Sequence, residues 1–483
     1  ASSNEAHHSS TVSPICRIPA EVLTCIFESF VFYVEQSPWE LVLVSRQWKN
    51  TALGTHRLWS KILITVLMEN YKIHSIGGEV GKVRSHGNFQ VCSTVDELDR
   101  ALARSGATLL DVRIHQPIID TPSVVSMCIK VLSKPINSRL QALVIDGRMS
   151  KNPLANPIVA CIESSYPALI SIDLDVPDRW GDGMLPRLLK GARRVRSIRS
   201  KIPQDLNVSI VDWENIQSLD VMRMREAHVF NRFCDKLHSL RTLSGVPDNW
   251  PNDSTPSMSF NFLSTVHLVL YAPHGLCELQ KISFPVLTRL DLEIFGTNHA
   301  ITLPSSSWKL PLLSELNVNA ENIPQISQWL ASVDIPRLQR LHLDVYEEDG
   351  SEHFPRFMHY PNIHSISIVA NSLADQYFID ALEAIPSASI VFLSYKNNYY
   401  QLEGVRSLLT RLLVTGSRML CPHVTAITIQ GDHLGLTCAR DPLERLIRRI
   451  VESRAESLES FTVSWAGQMS FIPDIVEYVN QAS

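Results

Sequence analysis

Leu287-Thr288-Arg289-Leu290-Asp291-Leu292 is the clearest copy of a hexapeptide that this chain writes fourteen times. In an extended strand successive side chains point to opposite faces, so Leu290 and Leu292 share one face while Arg289 and Asp291 take the other. The same L-x-x-L-x-L form begins at Leu109, Leu140, Leu169, Val195, Ile216, Leu240, Leu263, Leu313, Leu338, Ile363, Ser387, Val424 and Leu458. Eight of the thirteen intervals between copies fall between 23 and 26 residues, a regularity that a chain with one irregular core would not keep. The copies at Val195, Leu240 and Ser387 each lose one apolar position. Pro167, Pro285, Pro311, Pro336 and Pro361 stand two residues before a copy, where they end the preceding segment and start the strand.

Between the strands the spacing predicts helices at Asn322–Val333, Asp375–Ile385 and Gln401–Val414. The best marked is Asp441–Arg454, with Asp441 as N-cap, Pro442 at the first helical position and Glu444 closing a capping box. Leu443, Leu446, Ile447, Ile450 and Val451 form its apolar stripe. Strand-then-helix units of this length resemble leucine-rich repeats. That resemblance implies an α/β solenoid: a curved parallel sheet with helices or loops outside. The Asn that the family places after the strand is mostly absent, and Pro247–Phe262 and Asn298–Lys309 read as loops, so an uneven solenoid is expected. A compact α/β fold of about two domains is the alternative, and it leaves the recurring hexapeptide unexplained.

A different pattern opens the chain. In Ile18-Pro19-Ala20-Glu21-Val22-Leu23-Thr24-Cys25-Ile26-Phe27, Pro19 suits a helix's first turn, and Val22, Leu23, Ile26 and Phe27 form a broad apolar stripe. Leu41, Val44 and Trp48 repeat the spacing in Leu41–Trp48, and Leu58-Trp59 follows. Three short apolar helices cannot bury all they carry among themselves, so the block reads as a docking element. At these residues the chain resembles the F-box family, with Ile18 for its first Leu and Ser45 for its usual Cys. The resemblance implies a small all-α domain that binds a Skp-family adaptor and, through it, a cullin. Pro19, Val22, Leu23, Ile26 and Phe27 would meet the adaptor, and Ile15, Leu41, Val44, Trp48, Leu58 and Trp59 would shape or join that surface. The bland alternative packs the stripe on the first repeats, with Trp48 and Trp59 the first candidates for a core. The expected organisation is a disordered tail at 1–14, the F-box at 15–64, a linker at 65–94 and the repeat domain at 95–483.

Composition narrows the function. The 483 residues are 45% hydrophobic and 19% charged with a net charge of −5, which gives no general attraction to nucleic acid or to an anionic membrane. Apolar runs are far shorter than a membrane span, no charged-then-apolar leader is seen, and the first residue is Ala. Nine scattered cysteines without a C-x-x-C pair fit a reducing compartment, the cytosol or nucleus. Sequons at Asn207 and Asn252 therefore carry little weight. Gly77-Gly78-Glu79-Val80-Gly81-Lys82 suggests a phosphate loop, but Val83 follows the lysine where a magnesium-binding hydroxyl is needed. His7-His8 lies in the polar tail, where two neighbours make no metal site.

Catalytic signatures are absent: there is no H-E-x-x-H, G-x-S-x-G or G-x-G-x-x-G. Neither an enzyme nor a bound cofactor or metal is expected. The sharpest local feature is Pro186–Lys201, with Arg187, Lys190, Arg193, Arg194, Arg196, Arg199 and Lys201. Its bland reading is a helix ended by cations that suit the macrodipole, and its functional reading is a patch for an acidic or phosphorylated segment. Asp220, Arg241, His267, Arg289, Asp291, Arg340 and His342 complete the candidate substrate surface on the outward strand face. An F-box joined to leucine-rich repeats, an arrangement of fungal type, implies a substrate receptor of an SCF-type ubiquitin ligase, one copy within a hetero-complex holding an unidentified protein. The alternative is a repeat scaffold that binds a partner without promoting its degradation.

Overall fold

The computed structural model describes residues 18–65, 88–115, 122–146, 162, 165–175, 178–200, 212–224, 236–247, 259–270, 279–280, 282–295, 308–320, 329–330, 332–345, 362–370, 379, 381–383, 385–395, 408–413, 420–431, 440–454 and 457–465. Residues 1–14, Ile15, the Gly77–Lys82 run, Pro361 and both sequons lie outside them. The chain divides into two compact units, Ala1–Ile216 and Gln217–Ser483.

The first unit begins with helices α1 (Ala20–Phe32), α2 (Pro38–Val42) and α3 (Arg46–Gly54), then a 3-10 turn at His56–Trp59. Strands β1 (Lys61–Ile64) and β2 (Gln90–Cys92) follow, so the stretch read as a linker contributes a strand. Helix α4 (Val95–Arg104) is closed by a capping box between Thr94 and Glu97. Strand β3 (Leu110–His115), helix α5 (Pro122–Leu132), strands β4 (Leu140–Asp146) and β5 (Ser171–Asp175), helix α6 (Asp178–Gly191) and strand β6 (Ser197–Ser200) complete the unit. The sheet order is β2-β1-β3-β4-β5-β6, and the recorded pairings are parallel.

The second unit holds strands β7 (Ser218–Met224), β8 (Thr242–Pro247), β9 (Thr265–Leu270), β10 (Arg289–Ile294), β11 (Trp308–Lys309), β12 (Glu315–Ala320), β13 (Val333–Asp334), β14 (Arg340–Val345), β15 (Ser365–Ala370), β16 (Ile390–Tyr395) and β17 (Ala426–Gly431), then helix α7 (Arg440–Ser453) and strand β18 (Ser460–Trp465). All but β11 and β13 form one parallel sheet in sequence order. The small sheet β11–β13 takes up residues read as loop at Trp308–Lys309 and as helix end at Val333. Beside it Phe260, Phe284, Trp308 and Trp329 are buried with successive ring centroids 5.9, 5.9 and 6.1 Å apart. Helix α7 begins at Arg440, so Asp441 is its first interior residue and not its cap. Helical residues also occur at 329–330, 332, 379, 381–383 and 408–412, inside the predicted inter-strand helices. Each unit thus has the parallel-sheet, repeat-like α/β architecture that the hexapeptide predicts.

The hexapeptide works as its period requires. In twelve copies positions 1 and 4 are buried, as in Leu287 and Leu290, and position 6 joins them wherever its burial is described, Gly245 apart. Even the weak copy at Val195 obeys, with Ser200 fully buried in the sixth position. Two copies depart from this: the one at Ser387 is out of phase by one residue throughout, and the one at Leu109 misses at its first position only. In β3 the buried set is Leu110, Val112 and Ile114, and Leu109 is exposed, because a register shift between Leu110 and Asp111 shortens that copy. In β16 the set is Ala388, Val391 and Leu393, leaving Ile390 exposed.

The prolines have a sharper role than breaking a helix. The position-1 N–H donates to a carbonyl three residues back: Leu169 to Tyr166 (3.2 Å), Leu287 to Phe284 (3.4 Å), Leu313 to Leu310 (3.3 Å), Leu338 to Ile335 (3.3 Å), Ala388 to Ile385 (3.2 Å) and Val424 to Cys421 (3.2 Å). Each bond closes a four-residue turn whose second residue is Pro167, Pro285, Pro311, Pro336, Pro386 or Pro422, the position that proline's fixed φ favours. Position 2 then stitches the strands. Ser264, Thr288, Ser314, Ser389 and Thr425 each donate a hydroxyl to the position-2 carbonyl of the preceding strand, at 3.0 to 3.4 Å.

Candidate functional site

The helical block at 18–59 carries its own core. Leu23, Phe27, Val31, Leu41, Ala52, Leu58 and Trp59 are buried together, with Ile18, Phe30, Phe32, Val42, Trp48 and Leu53 packed against them. Phe27 and Trp48 rings lie 4.9 Å apart, and Trp59 donates its indole N–H to the Ala52 carbonyl at 2.8 Å. Ser45, where the resemblance places a Cys, is the N-cap of α3 and accepts from the Trp48 N–H at 3.2 Å. Gln47 ties the approach to α1 by donating to the Ile18 carbonyl at 2.9 Å.

This packing divides the residues singled out as adaptor-binding. Pro19, Val22, Ile26 and Val44 are exposed. Leu23 and Phe27, expected to meet the adaptor, are corrected to core, since neighbours on a helix point about 100° apart and only one edge of the stripe can face out. Leu41, Leu58 and Trp59, expected to shape or join the surface, are buried in the same core. Trp48 is half-buried against Phe27. Ile15 lies outside the described residues. The sequence reading missed Leu43 and Tyr33, each 85% exposed, and Val34. Of the eleven large apolar side chains left exposed among the described residues, seven lie between Val22 and Val44.

The block is fastened to the strands that follow it. Asn88 donates to the Val31 carbonyl at 2.7 Å, Gln90 to the Trp59 carbonyl, and Asp111 N–H to the Ser60 carbonyl at 3.0 Å. The Arg104 guanidinium lies over the Trp39 and Trp59 rings, 4.6 and 5.7 Å from their centroids. His56 Nδ1 meets the Arg104 carbonyl at 2.6 Å.

On the outward face of the second unit the structure brings together three of the predicted substrate residues. Arg289 donates through Nε to both Asp291 oxygens at 3.0 and 3.2 Å, Asn317 also donates to Asp291, and Glu315 sits between Arg289 (3.6 Å) and Arg340 (2.6 Å). The hydrogen bond to Asp291 raises the Arg289 pKa further above its ordinary value. These side chains satisfy one another. His267 stands apart between Ser244 (3.3 Å) and Glu293 (3.4 Å), and His342 meets Ser367 at 2.7 Å. Asp220 is half-buried on β7, and Arg241 is exposed at the entrance to β8. In the first unit Arg196 and Arg199 are exposed, and Arg199 lies 3.6 Å from Asp173. On β15 to β18 the outward positions become uncharged: Ser365, Ser367, Ile390, Phe392, Ala426, Thr428, Ser460 and Thr462.

The buried cysteines offer no activated thiolate. Burial pushes the Cys92, Cys128 and Cys421 thiols up to about 12, so they stay protonated near neutral pH. Among the described residues no three His, Cys, Asp or Glu side chains are grouped to hold a metal ion, and no helix is long and apolar enough to cross a membrane. No protein-family model matches the chain, and no curated protein is recognisably similar to it.

Proposed function

We propose that this chain is a substrate-receptor subunit of an SCF-type cullin–RING ubiquitin ligase, working in the cytosol or nucleus. Its F-box-like helical block would dock a Skp-family adaptor, and its repeat units would hold the protein to be modified. The carrying observation is the concentration of exposed apolar side chains on a block whose core is already filled. A patch of this kind on a small helical module marks a protein-docking surface. Val22 and Ile26 on α1 and Leu43 and Val44 after α2 supply exposed apolar area, and Pro19 is exposed as well. The ties from Asn88, Gln90 and Arg104 support the same reading, because a receptor must keep a fixed geometry between adaptor and substrate. The chain performs no bond chemistry in this scheme; it contributes proximity to a reaction on another subunit.

The test is partner identification by mass spectrometry from cells carrying the intact chain or a Val22→Asp/Ile26→Asp variant, with and without proteasome inhibition. The proposal expects a Skp-family adaptor with the intact chain, its loss with the variant, and proteins that accumulate on inhibition. An unchanged adaptor yield from the variant refutes the docking surface. Partners indifferent to the inhibitor make the chain a scaffold instead.

A further inference from the structure

We propose that the segment from Arg187 to Arg199 binds an acidic run, several Asp or Glu side chains in succession, in a partner polypeptide. The inference does not rest on the ligase reading, since it concerns only the chemistry this surface accepts. Residues 187–200 hold six cations and no acid, in a chain whose net charge is −5. Leu188, Leu189, Ala192, Val195, Ile198 and Ser200 are buried and anchor the segment. Arg187, Lys190, Arg193, Arg194, Arg196 and Arg199 are all exposed. Lys190, Arg193, Arg194 and Arg196 make no side-chain hydrogen bond or ion pair with any described residue, whereas Arg199 is shared with Asp173.

The macrodipole of α6 accounts for Lys190 and Arg193 at its end, but that field fades within the last turn and does not reach Arg196 or Arg199. The remaining cations repel one another, a cost relieved by an anionic partner. Its class follows from the segment's other properties. No aromatic residue lies between 187 and 200 on which a base could stack, which disfavours single-stranded nucleic acid. Every leucine, isoleucine and valine of the segment is buried, so nothing apolar is offered to a lipid surface. Arg196 and Arg199 stand three residues apart along the strand direction, about 10 Å between Cα atoms, so the cations form a row that several anionic groups in succession match better than one phosphate does. Successive carboxylates span that distance, and the guanidinium fork suits them.

Fluorescence anisotropy with the full-length chain tests this, using a labelled peptide of six consecutive Asp and Glu residues flanked by Gly and Ser. The expected result is binding that weakens when salt is raised from about 50 to about 500 mM. An Arg193→Gln/Arg194→Gln/Arg196→Gln variant should lose about tenfold in affinity with an unchanged melting curve. Lys309→Gln/Arg337→Gln, exposed cations elsewhere on the molecule, should bind the peptide as the unaltered chain does. The proposal is overturned by equal affinity for the matching Asn/Gln peptide, by equal loss in both variants, or by no loss in the triple variant. Tighter binding of a singly phosphorylated peptide or of a single-stranded oligonucleotide overturns it as well.

Discussion

Replacing Val22 and Ile26 together by alanine removes roughly five carbons from α1, from side chains 48% and 44% exposed. About half of their transfer free energy is already gained inside the helical block. At ~0.8 kcal/mol per carbon the other half, about 2 kcal/mol, is gained only when a partner covers them. Adaptor affinity should therefore fall roughly 30-fold, and folding should lose up to ~2 kcal/mol for the half already gained inside the block. Leu23→Ala, one residue away, should do the reverse in origin. Leu23 is 0% exposed against Phe27 and Leu41, so its loss leaves a cavity and costs about 3 kcal/mol of folding free energy. Any loss of adaptor binding by that variant should follow its unfolded fraction. The assay pairs isothermal titration with purified Skp-family adaptor and urea unfolding of the same preparations. Unchanged affinity in the Val22/Ile26 variant would refute the surface, and so would an undiminished stability in Leu23→Ala.

Three further outcomes are expected. Gly245 has φ +108° and a Cβ built there would lie 1.8 Å from the Val221 carbonyl oxygen, so Gly245→Ala should separate β8 from β7, read as new proteolytic cleavage in the second unit. Near neutral pH, iodoacetamide should modify exposed Cys25 in the native chain but Cys92, Cys128 and Cys421 only after denaturation, as followed by mass spectrometry, because burial holds those three thiols up at about 12. Arg454→Met should lower stability by about 3 kcal/mol or more in urea unfolding. It strands the Leu412, Leu420 and Cys421 carbonyls, which the buried guanidinium now satisfies at 3.0, 2.6 and 2.9 Å.

Most of the scaffold was legible because its rule is local. A strand's period of two decides which hexapeptide positions face in, and it places twelve of the copies without reference to the rest of the chain. The failure at Ser387 had a readable signal: Pro386 stands two residues before Ala388, as Pro285 does before Leu287, and points to the phase the structure adopts. The failure at Leu109 had none, because the shift at Leu110 depends on pairing with β4, thirty residues on. Of the helical block, the sequence revealed an apolar stripe too broad to bury. It could not assign Val22 outward and Leu23 inward, since that depends on where α3 and the 3-10 turn at His56–Trp59 lie. Arg454, which reads as an ordinary cation ending a helix, is buried because three backbone carbonyls surround it.

The outward face also separates structural demand from freedom to bind. Positions 1, 4 and 6 fill the core, position 2 serves the carbonyl ladder, and the proline turns supply the entry to each strand. Positions 3 and 5 are left with few obligations except to one another. On β10, β12 and β14 they have met them: Arg289, Asp291, Glu315 and Arg340 form a chain of opposite charges across parallel strands in register. Each exposed pair is worth only about 0.2–1 kcal/mol, but a partner seated there must part several at once and replace them with equal geometry. The cations of Lys190, Arg193, Arg194 and Arg196 carry no such debt to a described neighbour. Charge alone therefore does not mark a binding surface in this fold. The candidates with the most charges at hand, Arg289 and Arg340, are the ones whose charge is already used.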